Sequence, residues 1–351
     1  PNQAESDETP KSATTADEGL PEDFELTPEL VEEEAIRGDF VLRWAAVLLA
    51  VLTACTVITH TQTLVEVKAG EYLLSNGIIP DGTDPFSYTT EGRVWRNHAW
   101  LFDIVLASVN SIGGAIGITV FKALLAGFAF WCVVTISRPN TPTWWNAITV
   151  AIGAFACLPF FTARPELITL VGCALLLKLL HAWRYNQTTH KYRNGIVVLF
   201  LLWSNLDPRM YLGLLLLIVF FLGEALRKKA RPESPLFDRK QLGIVVGMSL
   251  VAALINPFGW HSLLSAWETH AVLDPISREY YGNMSLRMEN LYQFNLLNEI
   301  WWEYLTIPFV AALVVGSLAL IGLYLNYTGL NPSHILLLLT FGGLAFATGR
   351  E

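Results

Sequence analysis

Nine apolar runs, each close to the length of a membrane crossing, constrain this chain more than any other feature. They cover residues 41–59, 116–136, 144–162, 166–183, 195–207, 211–226, 242–256, 306–326 and 334–348. A helix needs roughly 20 apolar residues to cross the hydrocarbon of a bilayer. Only helices and closed barrels satisfy every backbone polar group there, and these runs are continuous rather than alternating. The expected fold is therefore all-α, a polytopic integral membrane protein with about nine transmembrane helices, some of them short enough to be tilted or broken. An apolar share of 53% against 15% charged residues sets the chain apart from ordinary soluble domains.

The net charge of −8 is a local effect. Residues 1–40 hold 13 Asp/Glu and two Lys/Arg, while the remaining 311 residues hold 18 acidic and 21 basic ones. This distribution gives no footprint for nucleic acid. Residues 1–28 are rich in Glu, Asp, Thr, Ser and Pro and lack the apolar content to fold alone, so 1–40 reads as an acidic, largely disordered tail. A partner that orders this tail is expected to be another membrane-protein subunit. Within the tail, Thr27-Pro28 followed by acidic residues is the start signal of a short helix over 27–36. The chain begins at Pro1, which reads as a processed chain or a fragment, and no signal peptide is visible. The four cysteines (Cys55, Cys132, Cys157, Cys173) all fall in apolar runs without metal or disulfide spacing and read as packing residues.

Alternation of the nine runs from a cytoplasmic N-terminus places 13 Lys/Arg inside and seven outside, with the densest cluster at 227–240 inside. Residues 41–351 then form the membrane domain, with large external loops at 60–115 and 257–305. Residues 100–112 and 262–273 within those loops have one apolar face and read as interfacial helices. Eight of the twelve tryptophans, Trp44, Trp95, Trp100, Trp144, Trp145, Trp260, Trp301 and Trp302, lie near run ends, as an interfacial belt requires.

The same topology gathers the chemically capable residues outside. Asp84 follows the Gly82 turn and precedes Pro85; it is either a rigidly presented carboxylate or an Asx-turn cap. His98 is either a ligand or a hydrogen-bonded structural histidine. Arg164, in T-A-R-P-E-L, either grips a phosphate or pairs with a loop acid. The stretch W-S-N-L-D-P-R (203–209) breaks two runs with polar residues; Asp207 and Arg209 are functional candidates or each other's partners. Lys122 and Lys178 read as structural residues that snorkel to an interface.

The runs T-D-P-F-S-Y-T (83–89), N-H-A-W-L (97–101), R-P-E-L (164–167), W-S-N (203–205), I-N-P-F-G (255–259) and N-E-I-W-W (298–302) resemble a bacterial polytopic family related to the GT-C glycosyltransferases. The GT-C group includes the dolichyl-phosphate-mannose protein mannosyltransferases. The resemblance spans roughly 40–350 and implies a GT-C-like fold in the bacterial inner membrane, among membrane lipids. It implies transfer of a sugar from a polyprenyl-phosphate carrier at the outer face. Asp84 would be the base, or the ligand of a divalent metal ion, with His98 orienting it. Arg164, Arg209 and Asn205 would hold the substrate phosphate. Three features depart from the family pattern. Ala99 stands where relatives commonly carry Glu, Asp207-Pro208-Arg209 where they carry His-Gly-Gly, and the chain stops soon after its ninth run. The alternative function is accordingly a non-catalytic structural subunit of a larger membrane complex, respiratory or photosynthetic, built on the same scaffold.

Overall fold

A computed structural model describes residues 28–58, 61–77, 85–86, 95–136, 144–185, 189–227, 237–264, 307–325 and 331–348. The chain divides into two units, residues 1–40 and 41–351. In the first, the described residues are helical from Pro28, the proline standing where its missing N–H costs nothing. Residues 1–27 lie outside the described residues.

Every one of the nine apolar runs forms an α-helix, and the described residues contain no strand. The helices are α1 (Pro28–Ala54), α2 (Thr61–Asn76), α3 (Trp100–Val134), α4 (Trp144–Ala156), α5 (Glu166–Tyr185), α6 (Thr189–Leu206), α7 (Met210–Leu226), α8 (Arg239–Ala253), α9 (Ile307–Leu325) and α10 (Pro332–Thr348). Three of them, α3, α5 and α9, are long and apolar enough to cross a membrane.

Two features of the first large loop go beyond the sequence reading. Residues 61–76, too polar to register as a run, form α2. Its Thr63, Val67, Gly70 and Leu73 lie on one face, three to four residues apart, and are buried. Gly70 permits the close approach to α3: a Cβ there would stand 2.0 Å from the Asp103 carbonyl oxygen. The expected helix at 100–112 is present as the first part of α3. Gly114, at φ 55° and ψ −146°, separates it from the apolar run that follows, in a conformation that L side chains rarely adopt. Residues 265–306, including all but the first three residues of the second expected interfacial helix (262–273) and N-E-I-W-W, lie outside the described residues.

The core has two parts. In one, Trp203 and Phe200 of α6 pack with Met210, Leu214 and Leu217 of α7, Leu176 and Leu180 of α5, and Leu242 and Val245 of α8. In the other, Ala46, Ala50 and Ala54 of α1, each four residues from the next, meet Ala123, Ala126 and Phe130 of α3. Small residues let helix backbones approach where lipid offers no hydrophobic drive. The opposite faces are apolar and exposed, as at Ile116, Val120, Leu124 and Phe128 of α3, which suits contact with lipid.

Buried charge is the main departure from a simple apolar bundle. Glu224 of α7 accepts from Arg184 of α5 at 2.5 Å and from the Ser333 hydroxyl at 2.9 Å, with Arg227 3.6 Å away. The Arg184 guanidinium also lies over the rings of Phe220 and Phe237. Lys178 lies over the Trp131 ring, its nitrogen 3.4 Å from the centroid. Lys122 is 2% exposed, and its ammonium donates to the Thr56 carbonyl and hydroxyl at 2.8 and 2.9 Å. Of the cysteines, Cys132 is buried, Cys157 and Cys173 are partly buried, and Cys55, just past the end of α1, is exposed.

Candidate functional site

Four polar turns meet at one end of the helices, and named hydrogen bonds join them. Asn97 opens the first: its Oδ1 accepts the Ala99 N–H at 3.1 Å, and its Nδ2 donates to Asp103 at 2.6 Å, anchoring the start of α3. The next residue but two, Trp100, donates its indole N–H to Asn205 Oδ1 at 3.1 Å. Asn205 Nδ2 donates in turn to the Leu201 carbonyl at 2.8 Å and the Ile255 carbonyl at 3.0 Å. The His98 ring stands edge-on to Phe258, 5.0 Å between centroids. Asn256 closes its own turn, accepting the Phe258 N–H at 2.9 Å. Residues 97–100, 203–209 and 255–259, far apart in sequence, are thus tied to one another.

The fourth turn enters through α5. Glu166, the first residue of that helix, receives Arg164 Nη2 at 2.9 Å and Arg209 Nη2 at 2.8 Å on the same oxygen, Oε1. Both arginines expected to hold phosphate therefore converge, and what joins them is a carboxylate the sequence reading mentioned only as part of R-P-E-L. The Arg164 side chain is 22% exposed and that of Arg209 34%, so the pair is reachable from outside. The two guanidiniums share Glu166 beside the N-terminus of α5, and the Arg209 charge also acts on the buried Asp207 carboxyl. A helix N-terminus adds to the field that favours an anion.

Asp207 does not take the guanidinium of Arg209. Its Oδ1 accepts the Arg209 backbone N–H at 3.0 Å, and its other oxygen accepts the Thr169 hydroxyl. The side chain is buried in the turn, 1% exposed. Trp203 donates to the same Thr169 oxygen at 3.3 Å. Asp207 is thereby a clamp between α5 and the 203–209 turn.

The carboxylate expected as base or metal ligand, Asp84, lies outside the described residues. Its near neighbour Phe86 packs edge-on against Tyr72 and Trp95, at 5.7 and 5.5 Å. Among the described residues no three of His, Cys, Asp or Glu gather as metal ligands. Sequence reasoning also passed over Asp103, buried at the start of α3 and faced by the Glu66 carboxyl of α2. An acidic residue in the first turn of an apolar helix was the available signal. Comparison with protein-family models, curated proteins and solved structures finds no match to this chain.

Proposed function

We propose that the chain is a polytopic membrane protein of the GT-C glycosyltransferase type, its nine apolar runs crossing the membrane and its N-terminus cytoplasmic. In this reading it binds a polyprenyl-phosphate sugar at the outer face and transfers the sugar to an acceptor. The observation that carries this reading is the convergence of Arg164 and Arg209 on Glu166, two reachable guanidiniums sharing one carboxylate oxygen. An incoming phosphate takes the guanidinium faces that Glu166 leaves uncovered, in the paired N–H···O geometry that arginine suits. Asn205, engaged at both ends of its amide, holds the turn that presents Arg209.

In the proposed step, Asp84 takes the proton of the acceptor hydroxyl as its oxygen attacks the anomeric carbon. The bond from that carbon to the phosphate oxygen breaks, and the electron pair leaves with the polyprenyl phosphate, held by the arginines. His98, beside the 255–259 turn, orients the carboxylate. Asp84→Asn is expected to lower turnover by about 10²-fold or more with folding unchanged, as for a lost general base. Arg164→Gln and Arg209→Gln are expected to weaken binding of the lipid phosphate by roughly tenfold each. Unchanged turnover in Asp84→Asn would identify Asp84 as a turn cap and remove the catalytic reading.

The orientation is tested by labelling, after the exposed Cys55 is replaced by serine. A cysteine introduced at Thr90 is expected to react with an impermeant reagent added from outside, and one at Ser234 to be spared. The reverse pattern would put all the site residues on the wrong face.

A second reading, a non-catalytic subunit of a membrane complex with the acidic tail on a partner, draws on two observations. Asn205 and Asp207 are satisfied within the chain, and α9 has Ala311 as its one buried residue, exposing Leu313, Leu320 and Ile321. Purification from native membranes separates the two readings. A stoichiometric assembly supports the subunit, whereas a lone chain carrying polyprenyl lipid supports the enzyme.

A further inference from the structure

Lys122 opens a second polar site, on the other side of the segment that carries Arg164. A cavity of about 110 Å³ is lined by Thr56, Thr63, Lys122, Phe161 and Thr162, among others, with no acidic residue in its wall. Lys122 is 2% exposed, and two of its three N–H bonds are committed to Thr56. Thr63 and Thr162, 1% and 8% exposed, line the same space, and neither hydroxyl has a hydrogen-bond partner among the described residues. A cation with no carboxylate beside it and two unsatisfied hydroxyls is costly to bury unless something in the cavity answers them. One group answers all three at once, an oxyanion: it neutralises the ammonium, takes its third N–H, and accepts from both hydroxyls. The volume points to a small headgroup. One water needs about 10–15 Å³ of such space, so the cavity has room for an oxyanion with several waters, and not for an isoprenoid chain.

We propose that this cavity is an oxyanion subsite that takes a phosphate, free or as the exposed end of a lipid phosphate monoester. It is separate from the Arg164–Arg209 pair and does not rest on the glycosyltransferase reading. Lys122 supplies the charge, and Thr63 and Thr162 supply neutral donors from α2 and from the 158–164 segment.

The test uses the full chain in detergent micelles, titrated with inorganic phosphate and followed by calorimetry. Lys122→Met keeps the length of the stem and removes the charge; it is expected to weaken phosphate binding by roughly tenfold or more. Thr63→Val and Thr162→Val, which leave the lysine in place, are expected to weaken it by smaller factors and keep the test open if Lys122→Met fails to fold. The same titrations are run in an Arg164→Gln, Arg209→Gln background, where the phosphate site proposed for those arginines no longer contributes and the Lys122 and threonine effects are expected to persist. Reconstitution in nanodiscs containing phosphatidic acid, compared with phosphatidylcholine alone, distinguishes the sources. Competition by phosphatidic acid assigns the site to a lipid headgroup, and its absence to free phosphate. No binding by the folded wild type, equal binding in Lys122→Met or in both threonine variants, or loss only in the arginine variants would overturn the proposal.

Discussion

Replacing Glu224 by alanine is expected to destabilise the helical bundle by about 3–5 kcal/mol, the cost of breaking a buried ion pair by removing one partner. Glu224 is 1% exposed at its side chain, and Arg184, held at 2.5 Å, is 7% exposed. Arg227 and Ser333 complete its surroundings, from the end of α7 and from α10. Removing the carboxylate takes away the acid that Arg184 and Arg227 both face among α5, α7 and α10. The approach of α10 is close enough that a Cβ on Gly223 would stand 2.2 Å from the Ser333 Cα, so these helices have little room to rearrange. Thermal unfolding in detergent measures the loss. Arg184→Met combined with Glu224→Leu, which removes charge from both partners, is expected to be milder than Glu224→Ala alone. If the single substitution costs less than about 1 kcal/mol, the network is hydrated and its burial is not what holds α10 to the bundle.

The second large effect is expected at Trp203, where alanine should cost about 3–5 kcal/mol. The indole is 1% exposed and fills the space between two glycines on neighbouring helices. An added Cβ at Gly172 of α5 would stand 2.7 Å from the ring, and one at Gly213 of α7 2.3 Å from it. Phe200 stacks on it at 5.7 Å, with ring planes 17° apart. Trp203 therefore sets the spacing of α5, α6 and α7 directly beneath the turn that carries Asp207 and Arg209. Its loss opens a cavity and frees the Thr169 hydroxyl that holds Asp207. Trp203→Phe should recover part of the stability, since a ring still fills part of the space, without restoring the hydrogen bond to Thr169. Denaturant unfolding of the two variants checks the order. Equal stability of Trp203→Ala and wild type would show that α5 and α7 close over the gap.

The two substitutions probe different levels of what the chain encodes. Helix formation was legible locally. Continuous apolar runs predict helices because a helix satisfies its own backbone away from water and a barrel strand would alternate, and each of the nine runs forms a helix. The turn motifs were legible for the same reason: Asn205, Asp207 and Asn256 interrupt apolar runs, and such interruptions need a purpose. Their meeting at one end also follows from alternating antiparallel helices, which return every second turn to the same side.

What joins them was not legible. Glu166 reads as an ordinary first-turn acid, and only the packing of α5 beside the 203–209 turn brings Arg209 to the oxygen that Arg164 already holds. Lys122 lies in an apolar run where a long side chain usually reaches for water; the end of α1 instead supplies the Thr56 carbonyl within its reach. Residues 61–76 lack a hydrophobic run because α2 owes its place to a tight seam on α3 at Gly70, a contact no hydropathy window contains. A sequence pattern specifies which face of a helix is apolar and where the backbone turns, since those depend on neighbours a few residues away. Which helix covers that face, and which buried charge finds a partner, depends on residues 40 to 110 positions apart, as Arg184–Glu224 and Glu224–Ser333 are, and only the tertiary structure decides it.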